Sequence, residues 1–346
     1  MELDLNFSVG ILDGRYILME KLGEGYTSQV YKVKDSLSNK IYAAKVFNNY
    51  TQSVDKEIEN NKIISQNINT EIPNFIEYIT SSVGPFELKN DSLGNDTPEN
   101  KAYIIFELGT KGELLDYITC TKEKLDERFV KVIFIKMVKA VRYLHNLGLC
   151  HRDLKSDNIV LSGEEYTIKL LDFGFSSKII RTINGKARHQ TGQVGTKAYA
   201  APEVLNGIPY DGEKADIFCL GVILFNLRTG FRGFKMAKCN NPYLANDPTD
   251  LLYNYIRDKK QETYWKILEK SLDLNANDLS EQFKKLYLKM VAYNPNERPT
   301  LGEIFNDDYF DDIRALTEDQ LNSLEKEIIS EFRIREALIK KSKNLD

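Results

Sequence analysis

The sequence has no apolar run of the eighteen or so residues needed to span a bilayer, so a membrane-crossing helix is not expected. Cysteine is scarce. Cys120, Cys150, Cys219 and Cys239 are scattered, with no C-x-x-C spacing. That argues against a zinc site or a disulfide scaffold, and for buried or free thiols in a reducing compartment. The opening Met1-Glu2-Leu3-Asp4 is acidic, lacks a signal-peptide pattern and has Glu2 where myristoylation requires glycine. A cytoplasmic protein is expected, with nuclear access open. No excess of positive charge exists either: the net charge of −4 does not indicate a nucleic-acid-wrapping surface. There is no internal repeat, no low-complexity tract and no G-x-x-x-x-G-K-[ST] phosphate loop. Asp273-Leu274-Asn275-Ala276-Asn277 starts like a calcium loop. It has Asp278 where the sixth position needs glycine and Lys284 where the twelfth needs glutamate, so calcium binding is rejected.

What is present is ordinary globular material. Of 346 residues, 42% are hydrophobic and 28% charged, enough for a sizeable core. Residues 16–47 alternate apolar and polar positions and read as three antiparallel strands, with turns near residues 23–25 and 38–40. A helix is expected over 52–66, with Val54, Ile58 and Ile64 on one face and Glu57 beside it. Strands are expected at 75–80 and 102–108, joined by a long surface loop over 84–101. Beyond Gly112 the pattern turns helical. A strongly amphipathic segment spans 126–147, with Phe129, Ile133, Val138, Val141 and Leu144 as core candidates. Further helices are expected near 213–229, 249–257, 261–270, 280–291 and 300–306. A strand-rich first third followed by helices implies an α+β chain in two lobes with a cleft between them. Residues 316–342 read as one more long helix, with Leu321, Leu324, Ile328, Phe332, Arg335 and Ile339 at roughly helical spacing and a basic end. A capping helix on the large lobe, a dimer contact and a site for a calmodulin-like partner all fit that pattern.

The chemistry concentrates in residues 151–174. His151-Arg152-Asp153-Leu154-Lys155-Ser156-Asp157-Asn158 is followed shortly by Asp172-Phe173-Gly174. Two acids, an amide and a cation on loops beside short buried strands suggest a site for metal ions and phosphate. Upstream, Gly23-Glu24-Gly25 lies in a strand–turn–strand, where the missing Cβ atoms let backbone approach a phosphate. A strand rather than a helix follows these glycines, which disfavours a dinucleotide fold.

The 151–174 stretch matches H-R-D-L-x-x-x-N and D-F-G and resembles the catalytic loop and metal-binding turn of protein kinases. The resemblance covers about residues 16–310 and implies a bilobal protein-kinase-like fold. In it, a small antiparallel N-lobe spans about 16–108, a mainly helical C-lobe about 112–310, and a helical extension 311–346. It implies ATP and Mg²⁺ as cofactors and a protein substrate with a Ser/Thr acceptor. Asp153 would accept the hydroxyl proton, Lys155 would steady the γ-phosphate, Asn158 and Asp172 would hold metal, and Lys45 would contact the α and β phosphates. Leu22, Gly23, Glu24 and Gly25 would form the phosphate loop, in which Ser28 replaces the third glycine. Val30 and Ala43 would roof the adenine, Val160 would floor it, Phe106 would close the back, and backbone groups of Glu107 and Leu108 would bond it. Glu113 would reach ribose or a basic substrate residue. Lys45 needs a carboxylate, for which Glu57 is preferred over Glu59. Choosing Glu57 puts Asn61 where kinases usually have an apolar residue. Thr196 would bond Asp153 and Lys155, Glu203 would pair with Arg298, and Asp216 would brace the catalytic loop. Ser156, Ile217 and Cys219 depart from the commoner residues. Lys155 resembles serine/threonine rather than tyrosine kinases. The Gly195-Thr196…Tyr199…Ala201-Pro202-Glu203 end looks most like the calcium/calmodulin-dependent group. Arg152, with Arg181, Lys186, Arg188 and His189, implies control by phosphate in this segment, by an upstream kinase or by autophosphorylation. Thr191 is the first candidate acceptor and Thr182 the second. The intact Lys45, Asp153, Asn158 and Asp172 weigh against a non-catalytic scaffold, and the Ala-Pro-Glu end against a small-molecule kinase. A role in intracellular signalling is the resulting expectation.

Overall fold

The computed structural model describes residues 10–67, 74–85, 100–181, 189–231, 248–274 and 278–343. The chain forms two compact units, Met1–Thr110 and Lys111–Asp346.

The first unit is one antiparallel sheet and a helix. Strands β1 (Ile11–Leu12), β2 (Tyr16–Glu24), β3 (Ser28–Asp35) and β4 (Ile41–Phe47) precede helix α1 (Gln52–Asn67), and β5 (Tyr78–Pro85) and β6 (Asn100–Glu107) follow it. The spatial order is β1-β2-β3-β4-β6-β5. Alternation along the strands splits the side chains between two faces. One carries a core of Leu12, Tyr16, Val33, Ala44, Tyr103 and Ile105. The other packs Phe47, Ala102 and Ile104 against Val54 and Ile58 of α1. The strand expected from residue 75 begins at Tyr78 and runs on to Pro85. Ser81 and Ser82 broke the apolar pattern there, yet both pair with β6. Most of the expected loop over 84–101 lies outside the described residues.

The second unit is mainly helical. It contains α2 (Leu114–Thr119), α3 (Glu127–Asn146), α4 (Pro202–Leu205), α5 (Gly212–Thr229), α6 (Pro248–Arg257), α7 (Gln261–Ser271), α8 (Glu281–Met290), α9 (Leu301–Phe305), α10 (Asp311–Arg314) and α11 (Glu318–Lys343). Two short antiparallel pairs interrupt them: β7 (Leu149–Cys150) with β10 (Ser177–Lys178), and β8 (Ile159–Ser162) with β9 (Thr167–Leu170). Helix α3 starts where Asp126 accepts the Arg128 N–H as N-cap. Its inward stripe includes Ile133, Phe134, Met137, Val138, Val141 and Leu144, whereas Phe129 is only half-buried. Helix α5 is apolar nearly all round and is buried along almost its whole length, as a central core helix must be. Phe225 on α5 meets Trp265, Phe283 and Tyr287 in an aromatic cluster. Asp211 caps α5 at its start, and Gly230, in the left-handed region, ends it. Helix α11 opens with a reciprocal pair, Thr317 N–H to Gln320 Oε1 and Gln320 N–H to Thr317 Oγ1. It packs on α2 and α3 with Leu324, Ile328, Phe332 and Arg335 inward, while Leu321 and Ile339 are only half-buried. Among the described residues no helix is long and apolar enough to cross a membrane.

Candidate active site

In the first unit the register brings the expected nucleotide-facing residues to one surface. Lys45 lies opposite Val30 and Ile104, and Ala43 lies opposite Phe106. Directly opposed residues share a face, so Val30, Ala43, Lys45 and Phe106 line the same side of the sheet. Lys45 Nζ is 2.5 Å from Glu57 Oε1, with both side chains largely buried. Glu59 lies on the exposed side of α1. The inward face of α1 therefore carries Asn61, which is buried and gives its Nδ2–H to the Glu57 carbonyl at 2.8 Å. A buried amide needs such a partner, and the helix's own backbone supplies it.

The β2–β3 turn leaves room above itself. Neither Gly23 nor Gly25 has a positive φ. A Cβ built on Gly23 meets nothing within 4 Å, and one on Gly25 makes only ordinary contact with Ser28. The fold does not itself require glycine at these positions, so the open space suits a ligand that comes close to backbone. Ser28 is buried under the turn, and its carbonyl accepts the Gly25 N–H. Leu22 and Glu24 are exposed. At the end of β6 the Glu107 N–H donates to the Glu77 carbonyl at 2.9 Å, so it is committed within the sheet.

In the second unit the 151–158 loop is built on α5. Asp216, fully buried, accepts the N–H groups of His151 and Arg152 at 2.8 Å each and is 2.8 Å from His145 Nε2. His151 donates from Nε2 to the Leu171 carbonyl and accepts the Asp153 N–H at Nδ1, which fixes its tautomer. Ser156 is also buried, and its hydroxyl donates to Asn226 Oδ1 on α5 at 2.9 Å. Sequence reading passed over this second tie, because only the fold brings Asn226 to the loop. Arg152 and Asp172 have φ values of 66° and 63°, a left-handed geometry that costs non-glycine residues energy and clusters at functional sites.

Asp153 is 4% exposed and sits at the centre of a convergent network. Its Oδ1 accepts the Thr196 N–H at 2.7 Å, and its Oδ2 accepts Asn158 Nδ2–H at 3.2 Å. Lys155 Nζ donates to the Thr196 hydroxyl at 3.0 Å and lies 3.6 Å from Asp153 Oδ2. Asn158 Nδ2 also donates to the Asp153 carbonyl at 2.9 Å. With its Nδ2 directed at Asp153, Asn158 would offer a cation its side-chain carbonyl oxygen. Together with the Asp172 carboxylate this is a hard-oxygen pair suited to Mg²⁺. Val160 on β8 bridges to Glu113, the residue at the N-terminus of α2. Partial burial, with Asp116 and Asp157 adding, pushes the Glu113 carboxyl above its ordinary value.

The downstream segment is held close over the loop. Gly195 has φ 86°, and a Cβ there would lie 2.4 Å from the Arg152 carbonyl oxygen. Glu203 accepts from Arg298 Nη1 and Nη2, at 2.5 and 2.7 Å, in a buried bidentate pair. Cys219 on α5 donates to the Tyr199 carbonyl. Burial pushes the Cys150 and Cys219 thiols up, which suits packing rather than nucleophilic roles. Arg152 is engaged by the Phe175 carbonyl and the Tyr210 hydroxyl, and Arg181 by Glu213. Thr191 is exposed, as is His189. Thr182, Lys186, Arg188, Cys239 and residues 275–277 lie outside the described residues.

A family profile described as "Protein kinase domain" matches residues 16–310. Testis-specific serine/threonine-protein kinase 1 of Mus musculus is 33% identical over 262 residues, 70% of this chain and 67% of that protein. Testis-specific serine/threonine-protein kinase 2 of Mus musculus is 42% identical over 135 residues, covering 39% and 37%. SNF-related serine/threonine-protein kinase of Homo sapiens is 35% identical over 208 residues, covering 60% of this chain and 24% of that protein.

Proposed function

Because the chain belongs to the protein kinase family and, through its relatives, to the serine/threonine group, we propose that it transfers the γ-phosphoryl of Mg-ATP to Ser/Thr hydroxyls of protein substrates. The observation that carries this reading is the network in which Thr196 N–H, Asn158 and Lys155 converge on Asp153. It fixes the orientation of one carboxylate and keeps a cation beside it, which supports a role for Asp153 toward a substrate hydroxyl. Phosphoryl transfer is mostly positioning and charge neutralisation, and these are what the network supplies.

In this reading the substrate oxygen forms a bond to the γ-phosphorus as the bond to the ADP oxygen breaks, and Asp153 takes the hydroxyl proton. Lys155 offsets charge on the transferring group. Lys45, oriented by Glu57, holds the α and β phosphates, and backbone of residues 22–25 covers them. By the family's pattern, Val30, Ala43 and Phe106 of the first unit would serve adenine, and Val160 and Glu113 of the second would serve adenine and ribose. Since the Glu107 N–H is committed to Glu77, Glu107 serves adenine through its carbonyl, and Leu108 contributes backbone beside it. Asn158 and Asp172 would hold Mg²⁺, which neutralises phosphate charge when bound. The setting is intracellular signalling, with Thr191 as a phosphorylation site ordering the segment that carries Thr196.

A peptide-library assay with Mg-ATP tests the proposal on wild type and Asp153→Asn. Wild type should transfer phosphate to Ser/Thr peptides. The variant should lose roughly 10²- to 10⁴-fold in kcat while melting normally and still binding nucleotide. Absence of transfer by wild type, or full activity in the variant, would sink the reading in favour of a binding scaffold.

A further inference from the structure

The family match ends at residue 310, and α11 lies beyond it. This helix nevertheless places a guanidinium in the interior. Arg335 is 1% exposed. Its Nη1 donates to the Tyr117 carbonyl at 2.9 Å, its Nη2 to the Glu123 carbonyl at 3.0 Å and its Nε to Glu331 at 2.6 Å. Tyr117 is on α2 and Glu123 follows it, so a single side chain ties α2 to the chain leaving it. A fully buried arginine is tolerated only when its donors are met, and a helix that came and went would leave two backbone carbonyls without this partner.

The next residue extends the grip. Glu336 accepts the Tyr166 hydroxyl at 2.5 Å and lies 3.4 Å from Lys111 Nζ, at the first residue of the second unit. Phe332 packs edge-on against Tyr117 at 5.3 Å, and Lys343 reaches Asp116 at 3.0 Å. Residues 111–112 also pair by backbone with Leu161 of β8. The segment 111–120 is thus held between β8 and α11. It begins three residues after Leu108 and contains Glu113.

We infer that α11 is a fixed brace of the catalytic unit, and that Arg335 is a positioning residue that holds the 111–120 segment, and with it Glu113, in the geometry that nucleotide binding requires. The inference rests on the kinase reading for its nucleotide part and on packing alone for its geometric part. The brace acts on binding rather than on the transfer step, because none of its residues belongs to the Asp153 network.

The test uses the full chain as wild type, Arg335→Met, Arg335→Lys and Glu336→Gln. Three quantities are read: amide hydrogen exchange over 111–120 and over α8, equilibrium binding of a fluorescent ADP analogue with Mg²⁺, and the kcat and KM for ATP. In Arg335→Met, exchange over 111–120 should rise about tenfold or more while α8 stays protected. Nucleotide Kd and ATP KM should rise about fivefold with kcat within about twofold. Arg335→Lys should recover part of the loss, and Glu336→Gln, which keeps the shape, should shift the same quantities less. A lower melting temperature with unchanged Kd and KM overturns the positioning role, and higher activity in any variant overturns the brace in favour of an inhibitory tail. If wild type binds no nucleotide and transfers no phosphate, the kinase reading fails. The exchange data would still decide whether Arg335 holds the segment.

Discussion

Replacing Gly195 with alanine should separate the geometry of the Asp153 network from the stability of the unit that carries it. Two effects act at this position. The φ of 86° is costly for any residue with a Cβ, about 1–2 kcal/mol. The added methyl would also stand 2.4 Å from the Arg152 carbonyl oxygen and 3.2 Å from Asp153 Oδ1. Both are parts of a loop pinned by Asp216, so neither can swing away as a surface side chain would. The 195–196 backbone has to lift by more than about half an ångström, which stretches the Thr196 N–H bond to Asp153. Misplacement on that scale should lower kcat/KM for a peptide substrate by roughly 10- to 100-fold. Gly163 provides the control. It has φ 71° in the turn between β8 and β9, and a Cβ there meets nothing within 4 Å. Gly163→Ala should carry the conformational cost alone and keep its activity. Steady-state peptide phosphorylation, run beside thermal melts, measures both terms. If Gly195→Ala falls within about threefold of Gly163→Ala in kcat/KM, the close approach of this segment does not position Asp153 and the argument fails.

Two further outcomes follow from the charges. Lys340, the Tyr166 hydroxyl and Lys111 hold the Glu336 carboxyl at about 2, down from an ordinary 4.5. A depressed carboxylate stabilises the fold above its unfolded value and loses that contribution as pH falls toward its folded one. The stability advantage of wild type over Glu336→Gln should therefore be flat above about pH 5.5 and shrink between about pH 4.5 and 2 in denaturant titrations. Lys340 is 70% exposed, so solvent screening should hold the plateau to about 1 kcal/mol or less; a difference that grew on acidification would contradict the assignment. For Thr191, alanine replacement should abolish the gain in peptide phosphorylation seen when dephosphorylated protein is incubated with Mg-ATP or an activating kinase. An undiminished gain in Thr191→Ala would remove Thr191 as the control site.

The sequence by itself determined the elements whose cause is local. Alternation marked the strands carrying Val30, Ala43 and Lys45, and apolar periodicity marked α3 and α11, because exposure in these elements repeats with the backbone's own period. The spacing of Asp153, Lys155, Asn158 and Asp172 was legible for a similar reason: one loop and one turn hold all four. Tertiary structure decided what depends on which distant group arrives. It chose Glu57 over Glu59 for Lys45, since only the seating of α1 against the sheet fixes which face of the helix is inward. It made Asn61 a buried amide bonded to its own helix, and it brought Asn226 to Ser156. Above all it gave Arg335 its place. In the sequence Arg335 falls on the apolar stripe of the helix and also within its basic end, and spacing alone does not show that its donors are met by carbonyls more than two hundred residues away.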